Sequence, residues 1–431
     1  MGTTTFGADT AAAIAGPGWL RQRRAEAWDR FAAATLPSQA EEVWRYSRID
    51  DLDLDAYRPV IPGPSQAGPL PPAVLALVEA VGPRAGLLVV HNGQVVRAEL
   101  GPELVAAQVL LGSLADVPGA AEALGSVAGR ADPFVDLGEA FLLDGALVRV
   151  PAAVEVEHPV VVVHVVDAPG GAVFPRLVVQ VGERGRLTVV DHLVSPEGQR
   201  SLVAPVVELE VGDAGRLSYL GLQQLGSSAW QVAYQASRVG RDATLESTVV
   251  ALGGDYARLR ADSGLAGQGG TSELRAAYFG DGTQMHDFRT MQDHAAPKTT
   301  SDLLFKGAVE DESHAVYTGL IRVRPGAAGT NAFQTNRNLV LTEGAHADSV
   351  PNLEIEENDV RCSHASAVGP IDEDQRYYLE SRGVPPEVAD RLIVLGFFDE
   401  IVERSPVPGL RPVVREALAA KLTRPAASPA Q

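Results

Sequence analysis

The residues of this chain best suited to metal or sulfur chemistry lie in the segment DVRCSHASAVG, residues 359–369. Cys362 is the only cysteine, and His364 follows it by two positions. Residues i and i+2 of a β-strand point to the same face, roughly 6.5–7 Å apart, so this pair would face one ion or cluster edge. Two ligands leave such a site incomplete, and the rest would come from elsewhere, for example from another chain. The alternative, a buried apolar cysteine near a hydrogen-bonded histidine, is favoured by the residue types alone.

A second stretch rich in ionisable residues is MHDFRTMQDHAAPKTTSDLLFKG, residues 285–307. Its candidates are His286, Asp287, Asp293, His294, Lys298 and Lys306. The two histidines are an even number of residues apart, so a strand places them on one face, but too far apart to share an ion. A metal site is therefore the weaker interpretation here. The remaining candidates are weaker still, since His91, His158, His164 and His192 lie in or beside valine-rich strands, and His314 and His346 are isolated in the sequence.

Several function classes are excluded by motif and charge. The chain has no GxxxxGK[ST] loop for ATP and no HExxH, CxxC or GxSxG motif. Its net charge of −19 repels nucleic acid and anionic membranes. No apolar run approaches the roughly 20 residues that span a bilayer, and the N-terminus lacks the charged start and apolar core of a signal peptide. We therefore expect a cytoplasmic protein without nucleic-acid or membrane partners.

The elements that must position these residues are predicted to be mostly β. The 43 glycines, the 29 prolines and the aromatic content of only 6% favour a turn-rich β architecture. The similar segments VGERGRL, VGDAGRL and VGRDATL begin at Val181, Val211 and Val239, at intervals of 30 and 28 residues. Strands that flank turns at a nearly constant period indicate the stacked coils of a β-solenoid. A β-sandwich with similar hairpins is the alternative.

Composition divides the chain into an N-terminal helical or mixed region (1–140), a β-solenoid core (141–370) and a C-terminal helical domain (371–431) with a disordered tail. We predict a helix over 20–34, a hairpin turn at Asn92-Gly93 and an exposed aromatic and acidic arm over 41–59, with a solvated acidic block at 50–55.

The C-terminal helices are predicted to carry an apolar face. Asp372 is the expected N-cap of the first of them, and apolar residues recur at helical spacing in the second. This face must pack on the solenoid end or on a partner protein. The predicted partner-binding residues are Tyr377, Tyr378, Leu379, Leu392, Leu395, Phe397 and Phe398.

Three segments resemble a known family. Each of AHADSVPNLEIEENDVRCSHASAVGPIDEDQRYYLESRGVP, MHDFRTMQDHAAPKTTSDLLFKGAVEDESHAVYTGLIRV and EEVWRYSRIDDLDL is similar to a stretch of the SufB/SufD family of the SUF iron–sulfur cluster assembly machine, and the three follow one another along the chain in the family's order. The chain length and the RCSH context favour its SufD members. Where relatives tend to have Gly-Ala-Thr after the histidine, this chain has Ala365, Ser366 and Ala367, which puts the loop shape there in question.

This resemblance implies a right-handed parallel β-helix core between helical regions and a non-catalytic scaffold function. It implies pairing with SufB through the β-helix and with the ATPase SufC through the C-terminal helices. The family's C-S-H histidine meets a SufB cysteine where a transient iron–sulfur cluster forms. The matching residue is His364, as a ligand of the cluster and its iron, with Cys362 as its companion, and this chain alone would hold no cofactor.

Two other function classes remain open at this point. A purely structural interaction scaffold would keep the same partners with an inert Cys362–His364 pair. A β-helix enzyme acting on carbohydrates is the other alternative, although such enzymes are commonly secreted. A homodimer through the β-helix edge that would otherwise meet SufB is possible for the isolated chain.

Overall fold

A parallel β-solenoid of about eight coils, with helical regions at both ends of the chain, forms the centre of this computed structural model. The predicted mostly β fold class is confirmed. The structure describes residues 6–61 and 70–422. The expected disordered tail, residues 423–431, lies outside the described residues.

The N-terminal region begins with helices and short turns that lead into a hairpin. Its elements are α1 (Ala8–Ala12), α2 (Gly18–Ala33), 3-10 turns at Glu42–Trp44, Ile49–Asp51 and Leu54–Ala56, β1 (Arg58–Pro59), α3 (Pro72–Val81), β2 (Gly86–His91), β3 (Gln94–Leu100), α4 (Pro102–Ala106), β4 (Leu110–Ser113), α5 (Ala120–Ala123) and α6 (Pro133–Ala140). Helix α2 confirms the first predicted helix. The β2–β3 hairpin is also confirmed: Asn92 and Gly93 have φ of 46° and 87°, as a two-residue turn with two positive φ angles requires.

The solenoid strands follow one another without a helical interlude. They are β5 (Ala146–Val150), β6 (Val160–Val165), β7 (Gly171–Val173), β8 (Arg176–Val181), β9 (Arg186–Val194), β10 (Ser201–Val203), β11 (Val206–Val211), β12 (Arg216–Gln224), β13 (Ala229–Val239), β14 (Thr244–Ala251), β15 (Tyr256–Leu265), β16 (Thr271–Gly280), β17 (Met285–His294), β18 (Thr300–Val309), β19 (His314–Val323), β20 (Thr330–Val340), β21 (His346–Ile355) and β22 (Val360–Gly369).

The strands alternate between two walls. One sheet runs β21-β19-β17-β15-β13-β11-β8-β5-β4, and the other runs β22-β20-β18-β16-β14-β12-β9-β6-β2-β3. The repeat found in the sequence is the corner between the walls, because Val181, Val211 and Val239 pair in register at the ends of β8, β11 and β13. Side chains that alternate inward along the two walls form the interior.

The segment 41–59 does not form the exposed arm that the sequence suggested. Trp44 and Tyr57 are buried, with Trp44 packed on Phe134. The Arg258 guanidinium, from the solenoid wall, lies 4.1 Å from the Trp44 ring centroid and donates a hydrogen bond to the Val43 carbonyl. The pattern misled because the buried face is set by β15, more than 200 residues away. The acidic residues at 50–55 are exposed as predicted.

The C-terminal helices are α7 (Glu373–Glu380), α8 (Pro386–Val402) and α9 (Arg411–Lys421), with a 3-10 turn at Pro408–Leu410. The Asp372 carboxylate accepts hydrogen bonds from two backbone N–H groups of α7, which confirms the predicted N-cap. None of the described helices is long and apolar enough to cross a membrane.

The apolar side of α8 packs on the outer face of a solenoid wall, and not on the solenoid end. Val394, Phe398 and Ile401 share one core with Phe279 and Leu304. Two buried lysines connect α8 and α9 to the solenoid through polar contacts. The Lys306 ammonium donates to the Phe397 carbonyl at 2.9 Å, and the Lys421 ammonium lies 2.6 Å from Asp281 Oδ1. The end of the solenoid is therefore left uncovered by these helices.

Candidate functional site

The last coil of the solenoid ends in two edge strands. In the described part of the chain, β21 is hydrogen-bonded along one side to β19, and β22 along one side to β20. The other side of each strand presents its backbone N–H and C=O groups. An edge of this kind is a template for pairing with another chain. We refer to the surface formed by β21 and β22 as the open end.

His364 lies on the inner wall of this open end. In the register between β20 and β22, Cys362, His364, Ser366 and Val368 stand beside Ala332, Gln334, Asn336 and Asn338. The β20 residues point into the solenoid and are fully buried. Their β22 neighbours continue the same inward rows but are exposed or half-buried, because no further coil of the described residues covers them. The predicted ligand His364 therefore lies where the next coil of a longer solenoid would pack.

The opposite wall of the last coil is apolar. Leu353 and Ile355 of β21 pair with Ile321 and Val323 of β19, both of which are fully buried. Leu353 and Ile355 are 37% and 42% exposed, and Val368 on the facing wall is 45% exposed. Core-type side chains left in water at the end of a solenoid indicate a surface that another body covers.

Cys362 and His364 share a face, as predicted, but their surroundings differ. Cys362 is half-buried against the cluster of Ile321, Val323 and Ala332. Burial raises the pKa of its thiol above the ordinary value, so the thiolate that ligates metal is disfavoured at neutral pH. His364 is exposed. The imidazole is therefore the more available of the two ligand groups.

Sequence reasoning missed Gln334, which lies beside His364 one coil earlier. Its side chain is 1% exposed, and neither amide atom has a hydrogen-bond partner among the described residues. A Cβ at Gly319 would come within 2.5 Å of that amide, so glycine leaves the room that the amide occupies. Burying a polar group without a hydrogen-bond partner costs folding free energy. Because Gln334 is paired with His364 in the ladder, its amide offers one unused donor and one unused acceptor next to that histidine. The only signal in the sequence was the coil period, since 30 residues separate the two positions.

The ionisable residues at 285–307 are dispersed. His286 and His294 both lie on the inward side of β17, where burial lowers their pKa to about 3 and about 4. They stand at opposite ends of an eight-residue interval of strand, or roughly 26 Å. Asp287 pairs with Arg258 and Asp293 with Arg324. These residues do not form one metal site.

The predicted partner-binding residues of α7 and α8 fall into three groups. Tyr377, Tyr378 and Leu392 are exposed, with Tyr377 at 73%. Leu379, Leu395 and Phe397 are half-buried. Phe398 is fully buried in the chain's own core, so it offers no surface to a partner in this structure. Helical spacing identified the apolar face of α8 but could not tell whether the chain itself or a partner covers it.

In sequence, this chain is similar to proteins of one family. Residues 164–397 match the family model described as the SufBD core domain of SUF-system FeS cluster assembly. An iron–sulfur cluster assembly SufBD family protein of Mycobacterium tuberculosis is 39% identical over 274 residues, which cover 62% of this chain and 68% of that protein.

Two relatives are named SufD. The iron–sulfur cluster assembly protein SufD of Bacillus subtilis is 30% identical over 64% of this chain and 63% of its own length. SufD of Escherichia coli is 28% identical over 68% of this chain and 70% of its own length. The span that matches the family model includes both strands of the open end and all of α7.

Proposed function

Because this chain belongs to the SufBD family of the SUF iron–sulfur cluster assembly system, it takes part in cluster assembly, and we propose that it does so as a non-catalytic scaffold. In this proposal the open end pairs with SufB, and His364 provides one ligand of the nascent cluster. The cluster is the cargo of the complex, and this chain supplies one side of its site. The observation that carries the proposal is the position of His364 on an inner wall that, within residues 6–61 and 70–422, no further coil covers.

Pairing at the open end is supported by two physical features. The edge strands offer backbone hydrogen bonds to another strand. Leu353, Ile355 and Val368 expose apolar surface, and removing that surface from water is favourable. A partner solenoid of similar cross-section satisfies both at once and would bring its own ligands against His364. A second copy of this chain would meet the same needs, and the isolated protein would then form a homodimer through this surface.

The ATPase SufC is the proposed partner of the C-terminal helices. Tyr377, Tyr378, Leu392 and Val388 are exposed apolar or aromatic side chains on α7 and α8. The two helices are joined by an ion pair between Arg376 and Asp390. Lys306 and Lys421 fasten α8 and α9 to the solenoid. A movement imposed on these helices by ATP binding would therefore reach the solenoid, and through it the cluster site.

Anaerobic reconstitution of the chain with SufB and SufC, iron and a sulfide source tests this function. We expect cluster absorbance and bound iron in the complex and neither in this chain alone, because the chain offers only part of a ligand set. Failure of the three proteins to associate, or equal cluster formation without this chain, would contradict the proposal.

Lysine in place of Ile355 is expected to weaken pairing at the open end. An ammonium placed in an apolar interface should cost about 2 kcal/mol or more, or roughly 30-fold in affinity. Val105→Lys is the matched control, since Val105 is also exposed but lies in α4, far along the chain from the open end. Size-exclusion chromatography and titration against SufB measure both variants. If I355K and V105K bind equally well, the interface lies elsewhere.

A further inference from the structure

Two histidines and an aspartate converge on the outer surface of the solenoid, apart from the open end's inner wall. His314 begins β19, His346 begins β21, and the two are direct neighbours in the parallel ladder. His314 Nε2 lies 2.9 Å from Asp348 Oδ2, and His346 Nε2 lies 3.3 Å from Asp348 Oδ1. The two imidazole centroids are 4.9 Å apart. One carboxylate thus stands between two imidazole nitrogens.

These three side chains point away from the interior. Their sequence neighbours Ala315 and Ala347 are buried in the solenoid core, and strand alternation places His314, His346 and Asp348 on the opposite face. His346 is exposed, and the other two are half-buried. The cluster is on the wall opposite to that of His364, which lies on β22. Because His346 is exposed, the cluster can be reached by an ion from solvent.

The geometry suits a metal ion with only small adjustments. One ligand atom from each residue lies within 4.8 Å of the others. Ligand atoms held at roughly 2.0–2.2 Å on one side of an ion are about 3–3.5 Å apart, so movements of about 1 Å at the side-chain ends close the set. Two imidazoles and one carboxylate on one side of an ion, with positions left for water, are the donors of mononuclear iron(II) and zinc sites.

The local charge also favours a cation. The turn that leads into His314 carries Glu310, Asp311 and Glu312, and the whole chain has a net charge of −19. Binding of a divalent ion by these side chains exchanges the polar contacts within the cluster and displaces no structural contact of the core.

We propose that His314, His346 and Asp348 form a surface site for a divalent transition-metal ion. The two imidazoles coordinate through Nε2, and Asp348 coordinates through its carboxylate. In the setting of the proposed function, iron(II) is the ion of interest, and that assignment alone rests on the proposed function. Binding of a metal by the free chain is independent of it, since it requires neither SufB nor the cluster ligand His364.

Anaerobic titration of the full chain with Co²⁺, read by its visible absorption, tests the site, and Fe²⁺ binding by dialysis follows. We expect one equivalent of Co²⁺ to bind to the wild type and to His364→Ala. Loss of a direct ligand in His346→Ala should weaken binding by about 10–100-fold or more. His91→Ala is the matched control, because His91 forms a lone histidine–carboxylate pair with Asp167 and should leave binding unchanged.

The variants distinguish loss of the metal site from loss of folding or from binding elsewhere. His346 is exposed on an edge strand, so His346→Ala should keep the wild-type thermal midpoint without metal, and Asp348→Asn provides a second test that preserves shape. No saturable Co²⁺ binding by the wild type, or wild-type binding by both H346A and D348N, overturns the site. Binding that is lost in His364→Ala and kept in His346→Ala places the metal on the β22 wall beside His364 and also overturns it.

Discussion

Complexes that carry His364→Ala are expected to assemble but to contain little cluster. His364 is exposed on an edge strand, so its removal takes away no core contact and should leave folding and pairing near wild type. Loss of one cluster ligand should lower the iron retained after reconstitution by at least about tenfold. Absorbance and iron counting on the purified complex with SufB and SufC measure this, with size-exclusion chromatography to verify the composition.

Cys362→Ala is the informative companion to this variant. Burial raises the pKa of the Cys362 thiol, so that residue is expected to contribute less as a ligand than His364, and C362A should retain most of the cluster. Equal cluster in wild type and H364A would remove His364 from the site. The chain would then be a mechanical scaffold that acts through its partners alone.

Glu208→Gln is expected to produce the largest loss of stability. The Glu208 carboxylate is fully buried and pairs with buried Arg176. It also accepts hydrogen bonds from the backbone N–H groups of Gly125, Val127 and Ala128 at 2.8–2.9 Å. Neutralising it leaves the guanidinium of Arg176 buried without its counter-charge, which should cost about 3–5 kcal/mol. Urea unfolding at neutral pH, followed by tryptophan fluorescence, measures the change.

The same carboxylate predicts a dependence on pH. Burial alone would raise the pKa of Glu208, but Arg176 and the three backbone donors outweigh it and hold the pKa below its ordinary value of 4.5. Since the folded pKa is the lower one, this stabilisation is complete above pH 4.5 and is lost as the pH falls through the folded pKa. The E208Q variant should therefore lose less stability between neutral and acidic pH than the wild type.

Glu210→Gln is the control for both measurements. Glu210 lies on the same strand, is partly exposed and pairs with the half-exposed Arg238. Its replacement should change the free energy of unfolding by less than about 1 kcal/mol. If E208Q and E210Q unfold alike, burial at the junction of α5, α6 and the solenoid does not carry the stability assigned to it.

Features that depend on neighbours along the chain could be predicted from the sequence. The turn at Asn92-Gly93, the N-cap Asp372 and the corners near Val181 and Val211 were all predicted, because turn chemistry, capping and strand alternation act within a few residues. The repeated turn segments predicted the solenoid because a nearly constant period indicates stacked coils. The placement of Cys362 and His364 on one face followed from their spacing alone.

Contacts between residues on different coils depend on the three-dimensional fold and could not be predicted in this way. Paired positions are 26 residues apart between Val239 and Leu265 but 32 apart between Val323 and Ile355, so coil lengths vary too much for the sequence to assign neighbours. His314 and His346 therefore seemed unrelated until the ladder paired them. The burial of Trp44 and Phe398 also depends on surfaces distant in the sequence. An apolar side chain favours burial, but its residue type does not identify the surface that buries it.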